Sequence, residues 1–475
     1  MKRLHAPRRR SRFWATLGIT CSMAGVLVGW KANAQTVVIT GGTVVVGDGS
    51  EPIPNGTVVV QNGRVTAAGA NVAVPAGAER IDATGKWVTP GLVAGFSRLG
   101  LAEIDAVSST NDAVANSSPF SAALDVAPAI NPRAQAIAVS RVAGVTRAVV
   151  AAVASRSIFA GQGAVIDTGS DMDALTRRRA FQYVEFGEDG AKQAGGSRPS
   201  AHAYFRNALR EARDVAAGQS VRSVSAGAAR PDGQLPVEEV PDTSLLTAVE
   251  GRPNDVLLSR FDARALVPVI RGQQQLLIHV ERASDILEML DLHREFPAIR
   301  MVLVGAAEGW TVAREIAAAK VPVIANALTD LPASFEQLAA TQSNVGRMVA
   351  AGVEVGIGML NEDETRMVRV TPQLAGNLVA LTRVPGATGL SWSQAFAAIS
   401  SRPAEIMGLG GEIGSLAPGR RGDVVLWSGD PLELSTAPER VWIDGVEQSM
   451  VTRQTRLRDR YRTPAPGERP KAYDR

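Results

Sequence analysis

From Pro90 to Met407 the chain alternates short apolar runs with amphipathic stretches, and this alternation limits the fold more than any other feature. Gln275–Val280 reads as a buried strand and Ala283–Phe296 as an amphipathic helix. Met301–Val304, Val321–Ile324 and Val353–Ile357 read as further strands, with a helix over Trp310–Ala319. Strands of this kind, buried on both faces and separated by helices of about 10–15 residues, belong to parallel βα units. Repeated over about 300 residues, they favour a (β/α)8 TIM-type barrel over an open sheet. No Gly-x-Gly-x-x-Gly follows an early strand, which weighs against a dinucleotide-binding sheet.

Both ends carry β signals instead. Thr36–Thr89 contains Val37-Val38-Ile39, Val44-Val45-Val46 and two runs flanking Asn62-Gly63, a pair suited to a two-residue hairpin turn because both positions take positive φ. Near the other end, Asp423–Trp427 and Val441-Trp442-Ile443 lead into a second such turn, Asp444-Gly445. Neither set buries a face alone, so we pair them as one composite β-sandwich domain. The expected α/β organisation is therefore 35–90 for the first part of the sandwich, 91–410 for the barrel and 411–450 for the second part. A basic, proline-containing tail, 451–475, is expected to be loosely ordered. Val221–Asn254, rich in Ser, Gly and Pro, reads as a long loop over one end of the barrel.

Residues 1–34 read as a signal peptide. A basic head (Lys2, Arg3, Arg8, Arg9, Arg10, Arg12) precedes an apolar run, Phe13–Trp30, and an Ala32-Asn33-Ala34 cleavage pattern. The run is also long enough to span a membrane, so a retained anchor is the alternative. Cleavage after Ala34 predicts an exported, periplasmic or extracellular protein with no membrane span. It removes seven of the 50 basic residues and none of the 47 acidic ones, leaving 43 against 47, a net charge of −4. The basic balance of the full chain is then no argument for nucleic-acid binding. Cys21, the single cysteine, leaves too, so the remaining chain has no thiolate ligand for zinc.

Two segments carry a family resemblance. The first is Thr84-Gly85-Lys86-Trp87-Val88-Thr89-Pro90-Gly91-Leu92. The second runs from Arg402-Pro403-Ala404-Glu405 through Gly414-Ser415-Leu416-Ala417-Pro418-Gly419 to Gly422-Asp423-Val424-Val425. Together they resemble the amidohydrolase superfamily, in particular its imidazolonepropionase-like branch. The resemblance implies a barrel with a composite β-sandwich, and hydrolysis of C–N bonds, amide or peptide-like, by metal-activated water. It also implies a histidine pair after Pro-Gly-Leu, histidines on the fifth and sixth barrel strands and an aspartate on the eighth. Here Phe96 and Arg98 stand at the first pair, His279 matches the fifth strand, Gly305 or Ala306 replaces the sixth, and Leu360 stands at the aspartate. Of five placed positions, His279 survives as the one metal-site residue. Phe96 offers no lone pair, and Arg98 brings a fixed positive charge to a cation's place.

Three histidines follow residue 34: His202, His279 and His293. His279 alone cannot hold zinc, and the open readings for it are cleft lining or relic, with only a mild loss of stability on replacement by alanine. Arg98, Glu103 and Glu308 are candidates to line the cleft. Asp105, Glu362, Asp363 and Glu364 also fall after barrel strands, where an oxygen-rich divalent site is the alternative to solvated loop acids. Ser97, Thr110 and Ser391 lack the surroundings of a nucleophile. The sequence thus predicts an amidohydrolase-like pseudoenzyme that needs no cofactor. It would bind a small molecule or peptide, or pair with an active paralogue or a second copy of itself. The alternative is an active metal-dependent amidohydrolase holding zinc or another divalent metal through substituted ligands.

Overall fold

A computed structural model describes residues 36–104, 107–218, 257–360 and 367–462. The expected signal peptide, the 221–254 loop, Asp105, residues 362–364 and the end of the tail lie outside the described residues. Among the described residues, no helix is long and apolar enough to cross a membrane.

The first strands are β1 (Val37–Val44), β2 (Ile53–Gln61), β3 (Arg64–Gly69), β4 (Glu79–Asp82) and β5 (Trp87–Pro90). Asn62 and Gly63 take φ of 54° and 75° between β2 and β3, the positive values the hairpin requires. Eight more strands build the barrel: β6 (Leu92–Ser97), β7 (Val145–Val150), β8 (Phe159–Asp167), β9 (Leu175–Glu185), β10 (Gln275–Val280), β11 (Arg300–Gly305), β12 (Val323–Ala325) and β13 (Val355–Ile357). The chain then returns to the first sheet with β14 (Val424–Trp427), β15 (Pro438–Ile443) and β16 (Val446–Glu447).

The two β segments form one domain, as expected. Its strands make a single sheet in the order β16-β15-β14-β5-β1-β2-β3, with β4 also on β1. The join is antiparallel, Trp87 opposite Trp427 and Pro90 opposite Val424. Alternation along β14 divides its burial. Val424 and Leu426 pack with Val37, Val58 and Trp442 inside the sheet domain, while Val425 and Trp427 join the core shared with the barrel. The Trp427 indole lies so close to Gly144 that a Cβ there would fall 2.8 Å from the ring.

Arg147 on β7 clasps the two parts together. It is fully buried. Its guanidinium donates to both oxygens of Asp423 at 2.7 and 2.9 Å and reaches Asp444 at 3.0 Å. A bidentate pair satisfies most of the donors of a cation that would otherwise be costly to bury.

The barrel sheet runs β6 to β13 in chain order. Met359 N–H donates to Phe96 C=O at 3.0 Å, bringing the last strand onto the first. The sequence implied parallel strands throughout, and here the structure differs. β8 runs antiparallel to both β7 and β9. The link from Val150 to Phe159 is too short for the helical crossover that a parallel neighbour needs, so the strand turns back. The expected loosely ordered tail is also corrected in part: Arg453–Arg462 is a helix with no buried residue.

Candidate functional site

Barrel strands present alternate residues to the interior, and their C-terminal ends open at the mouth. Phe181 and Tyr183 on β9 and Leu277 on β10 fill the interior with Phe96, Val302 and Ile324. One step further, at the strand ends, the side chains become polar. The register of the parallel pair sets His279 directly beside Glu185.

His279 is held between two carboxylates. Its Nδ1 lies 2.5 Å from Glu185 Oε1 and its Nε2 lies 3.0 Å from Glu281 Oε1. Tyr183 donates its hydroxyl to Glu185 Oε2 at 3.1 Å, and the Ala307 N–H donates to Glu281 Oε2 at 2.7 Å. Burial alone would push the imidazole pKa down, but the charges and hydrogen bonds of Glu185 and Glu281 outweigh it and hold it well above the ordinary value. Both ring nitrogens of His279 thus face carboxylates, an arrangement that favours its protonated form.

The sixth-strand position is reshaped around this network. Gly305 and Ala306 take φ of 92° and 53°. A Cβ on Gly305 would lie 2.7 Å from Glu281 Oε1. The space of a side chain at 305 is thus taken up by the Glu281 carboxylate.

A third carboxylate, Glu336, reaches in from the segment after β12. It accepts the Glu188 N–H at 2.7 Å and the Arg198 guanidinium at 3.2 Å. It sits over Gly187, where a Cβ would come within 2.6 Å of it. Burial pushes its pKa up to about 7, against the opposing Glu188 N–H bond and the His279 charge.

Phe96 and Arg98 form the opposite wall. Phe96 is 1% exposed, and its ring centroid lies 5.1 Å from that of Tyr183. Arg98 lies over both rings, at 5.3 and 5.9 Å, and donates to the carbonyls of Ala151 and Ala152. Leu360 packs, half-buried, against the barrel interior.

Other expected positions have structural roles. Glu308 is buried and does not line a cleft as a free acid, since its two oxygens accept the N–H groups of Ala283 and Ala339, both at 3.0 Å. Glu103 is exposed and accepts from Asn131, outside the His279 hydrogen bonds. Ser97 is buried and donates to Val149 C=O. Thr110 closes a turn onto Ile104 and Val107, and Ser391 caps the helix Trp392–Ala398. His202 packs edge-on to Phe186, and His293 lies half-buried on the helix Ala283–Glu295. Burial lowers the pKa of both.

The sequence reading missed Tyr183, Glu185, Glu281 and Glu336. Three of them had a signal. Tyr183-x-Glu185 and His279-x-Glu281 each repeat at the strand period and so place both members on one face.

Among the described residues, no group of three or more His, Cys, Asp or Glu is placed to hold a metal ion. The two nearest carboxylates address opposite edges of the imidazole rather than a common point. The guanidinium of Arg98 adds a fixed positive charge on the facing wall.

Comparison with known proteins agrees with the architecture. A model of the amidohydrolase family matches residues 275–454, which include β10 to β16. The amidohydrolase tasK of Hapsidospora irregularis is 24% identical over 401 residues, 79% of this chain. The chain spans only 38% of the length of that relative. Among solved structures, an amidohydrolase from Thermotoga maritima superposes with a TM-score of 0.70 at 24% identity, over 86% of this chain and 99% of the other. Molinate hydrolase superposes with a TM-score of 0.50 at 16% identity, over 92% and 98%. At these identities the structural likeness concerns the fold.

Proposed function

We propose that the chain is an exported member of the amidohydrolase superfamily that binds a small molecule, a peptide or a partner without hydrolysing it, a reading supported by the partial family match, the relative and the shared fold. The observation that carries this reading is the state of His279. The one histidine at a family metal position has its two ring nitrogens 2.5 and 3.0 Å from the Glu185 and Glu281 carboxylates, a setting that favours the cation. A cation there repels a second one, and its protons occupy the lone pairs that ligation needs.

The remaining family positions support the same reading. Phe96, Gly305, Ala306 and Leu360 supply no side-chain donor, and the room for a residue at 305 is filled by Glu281. Without a metal the reaction lacks its means of making hydroxide at neutral pH. Export rests on the basic, apolar and Ala-x-Ala pattern of residues 1–34.

The test is elemental analysis of the purified protein, with a hydrolysis screen over amides and dipeptides, run with and without added zinc or manganese. We expect substoichiometric metal and no turnover. Stoichiometric metal, lost together with a hydrolytic activity in His279→Ala, would establish an active enzyme with substituted ligands instead.

A further inference from the structure

After the last strand of the sheet domain the chain forms the helix Arg453–Arg462, which carries five arginines and one acid, Asp459. We infer that this helix is a docking element for an anionic lipid surface, with Leu457 and Tyr461 entering the interface and arginines bearing on the headgroups to either side.

Local chemistry fixes where the helix starts. Thr452 is buried, its Oγ1 accepts the Thr455 N–H at 3.2 Å, and Thr455 Oγ1 accepts the Thr452 N–H at 2.8 Å, a reciprocal cap. Gln454 accepts from Gln135 at 3.1 Å, which ties the first turn to the rest of the protein. No residue of the helix itself is buried. Helical spacing divides its residues. Arg453, Arg456 and Arg460 fall along one side, Arg458 and Arg462 along the other, and Leu457 and Tyr461, four apart, make the strip between them. Leu457 is 41% and Tyr461 55% exposed. An interfacial helix has this arrangement, with apolar residues in the boundary and long basic stems reaching up to the headgroups.

Two costs point to the partner. Like charges three and four residues apart repel, and Asp459 pairs with Arg458 alone, at 2.7 Å and in the open. A ten-residue helix with no buried face is also marginal in water. A negatively charged surface offsets the first cost, and burial of Leu457 and Tyr461 offsets the second. The charge is local as well. From residue 35 onward, the rest of the chain has 38 basic against 46 acidic residues, a net −8, while the helix carries +4. That polarity turns the helix toward an anionic surface. Nucleic acid would answer the arginines but not the apolar strip between them. This assignment rests on the helix alone and holds whether or not the mouth hydrolyses anything.

The experiment uses the protein from Gln35 onward, which forms a compact unit of its own. It is co-sedimented with vesicles of phosphatidylcholine alone and of phosphatidylcholine mixed equally with phosphatidylglycerol. Binding should appear with the mixed vesicles and weaken as salt rises. Arg453→Gln, Arg456→Gln and Arg460→Gln together, exposed changes that keep good helix formers in place, should weaken it by about a hundredfold, roughly fivefold for each arginine. Leu457→Ser with Tyr461→Ser should weaken it by about tenfold and leave its salt dependence unchanged. The assignment is overturned if the mixed vesicles bring down no protein, or if binding survives either set of substitutions. Tighter binding to a duplex oligonucleotide, lost with the arginines and indifferent to Leu457 and Tyr461, would also overturn it, by giving the helix to nucleic acid.

Discussion

The Glu281 carboxylate and the Gly305 backbone occupy one space: a Cβ on Gly305 would fall 2.7 Å from Glu281 Oε1. The absence of a side chain at 305 and the placement of the acid two residues after His279 are therefore sterically coupled. Placing a histidine at 305 requires displacing Glu281, which in turn frees the Ala307 N–H and one edge of His279.

Gly305→Ala should destabilise the fold by about 3 kcal/mol, from positive φ and overpacking together. Urea denaturation measures this. Combining it with Glu281→Ala should cost less than the two single changes summed, because the clash disappears. Strict additivity would show that Glu281 does not fill the space.

His279→Gln should cost about 3 kcal/mol near pH 6, since it leaves the part-buried Glu185 and the buried Glu281 without their cation. This revises the mild effect expected from the sequence. The folded pKa of His279 is raised above 6.5. Its contribution is therefore complete below about pH 6.5 and is lost as pH rises through the raised value. The gap between wild type and variant should narrow on the alkaline side, and a gap that widens there would contradict the imidazolium assignment.

Glu336→Gln should stabilise the protein at pH 8 by of order 3 kcal/mol and change little at pH 4. The folded carboxyl titrates near pH 7 against an ordinary value of 4.5. Stability favouring its neutral form is complete below about pH 4.5 and lost as pH rises through 7. Thermal melts across that range read the difference, and a pH-independent offset would remove burial as the cause.

The fold was legible where local chemistry decides it. Asn62-Gly63 and Asp444-Gly445 take the positive φ values that a two-residue turn demands. Gln275–Val280 is a strand with the bounds its apolar run suggests. The reversal of β8 was not legible, because a buried antiparallel strand reads like a parallel one and only the shortness of the Val150–Phe159 link tells them apart. In the site, Phe96, Leu360 and the strand-period pairs Tyr183-x-Glu185 and His279-x-Glu281 stand in the sequence, but Glu336 does not. Glu336 reaches Glu188 N–H across 148 residues of chain. Such an acid looks like any loop acid until the barrel brings both together.

The join of β5 to β14 also sets an order of events. Trp427 donates its indole N–H to Thr89 across 338 residues of chain. At a synthesis rate of about 5–20 residues per second, the edge of β5 is made roughly 20–70 s before its neighbour exists. Through that interval the first strands expose a row of unpaired N–H and C=O groups, a template for any passing strand. The nascent chain therefore meets its greatest hazard of mispairing while most of the barrel is still being made. Any pause late in translation lengthens the time that this edge stays open.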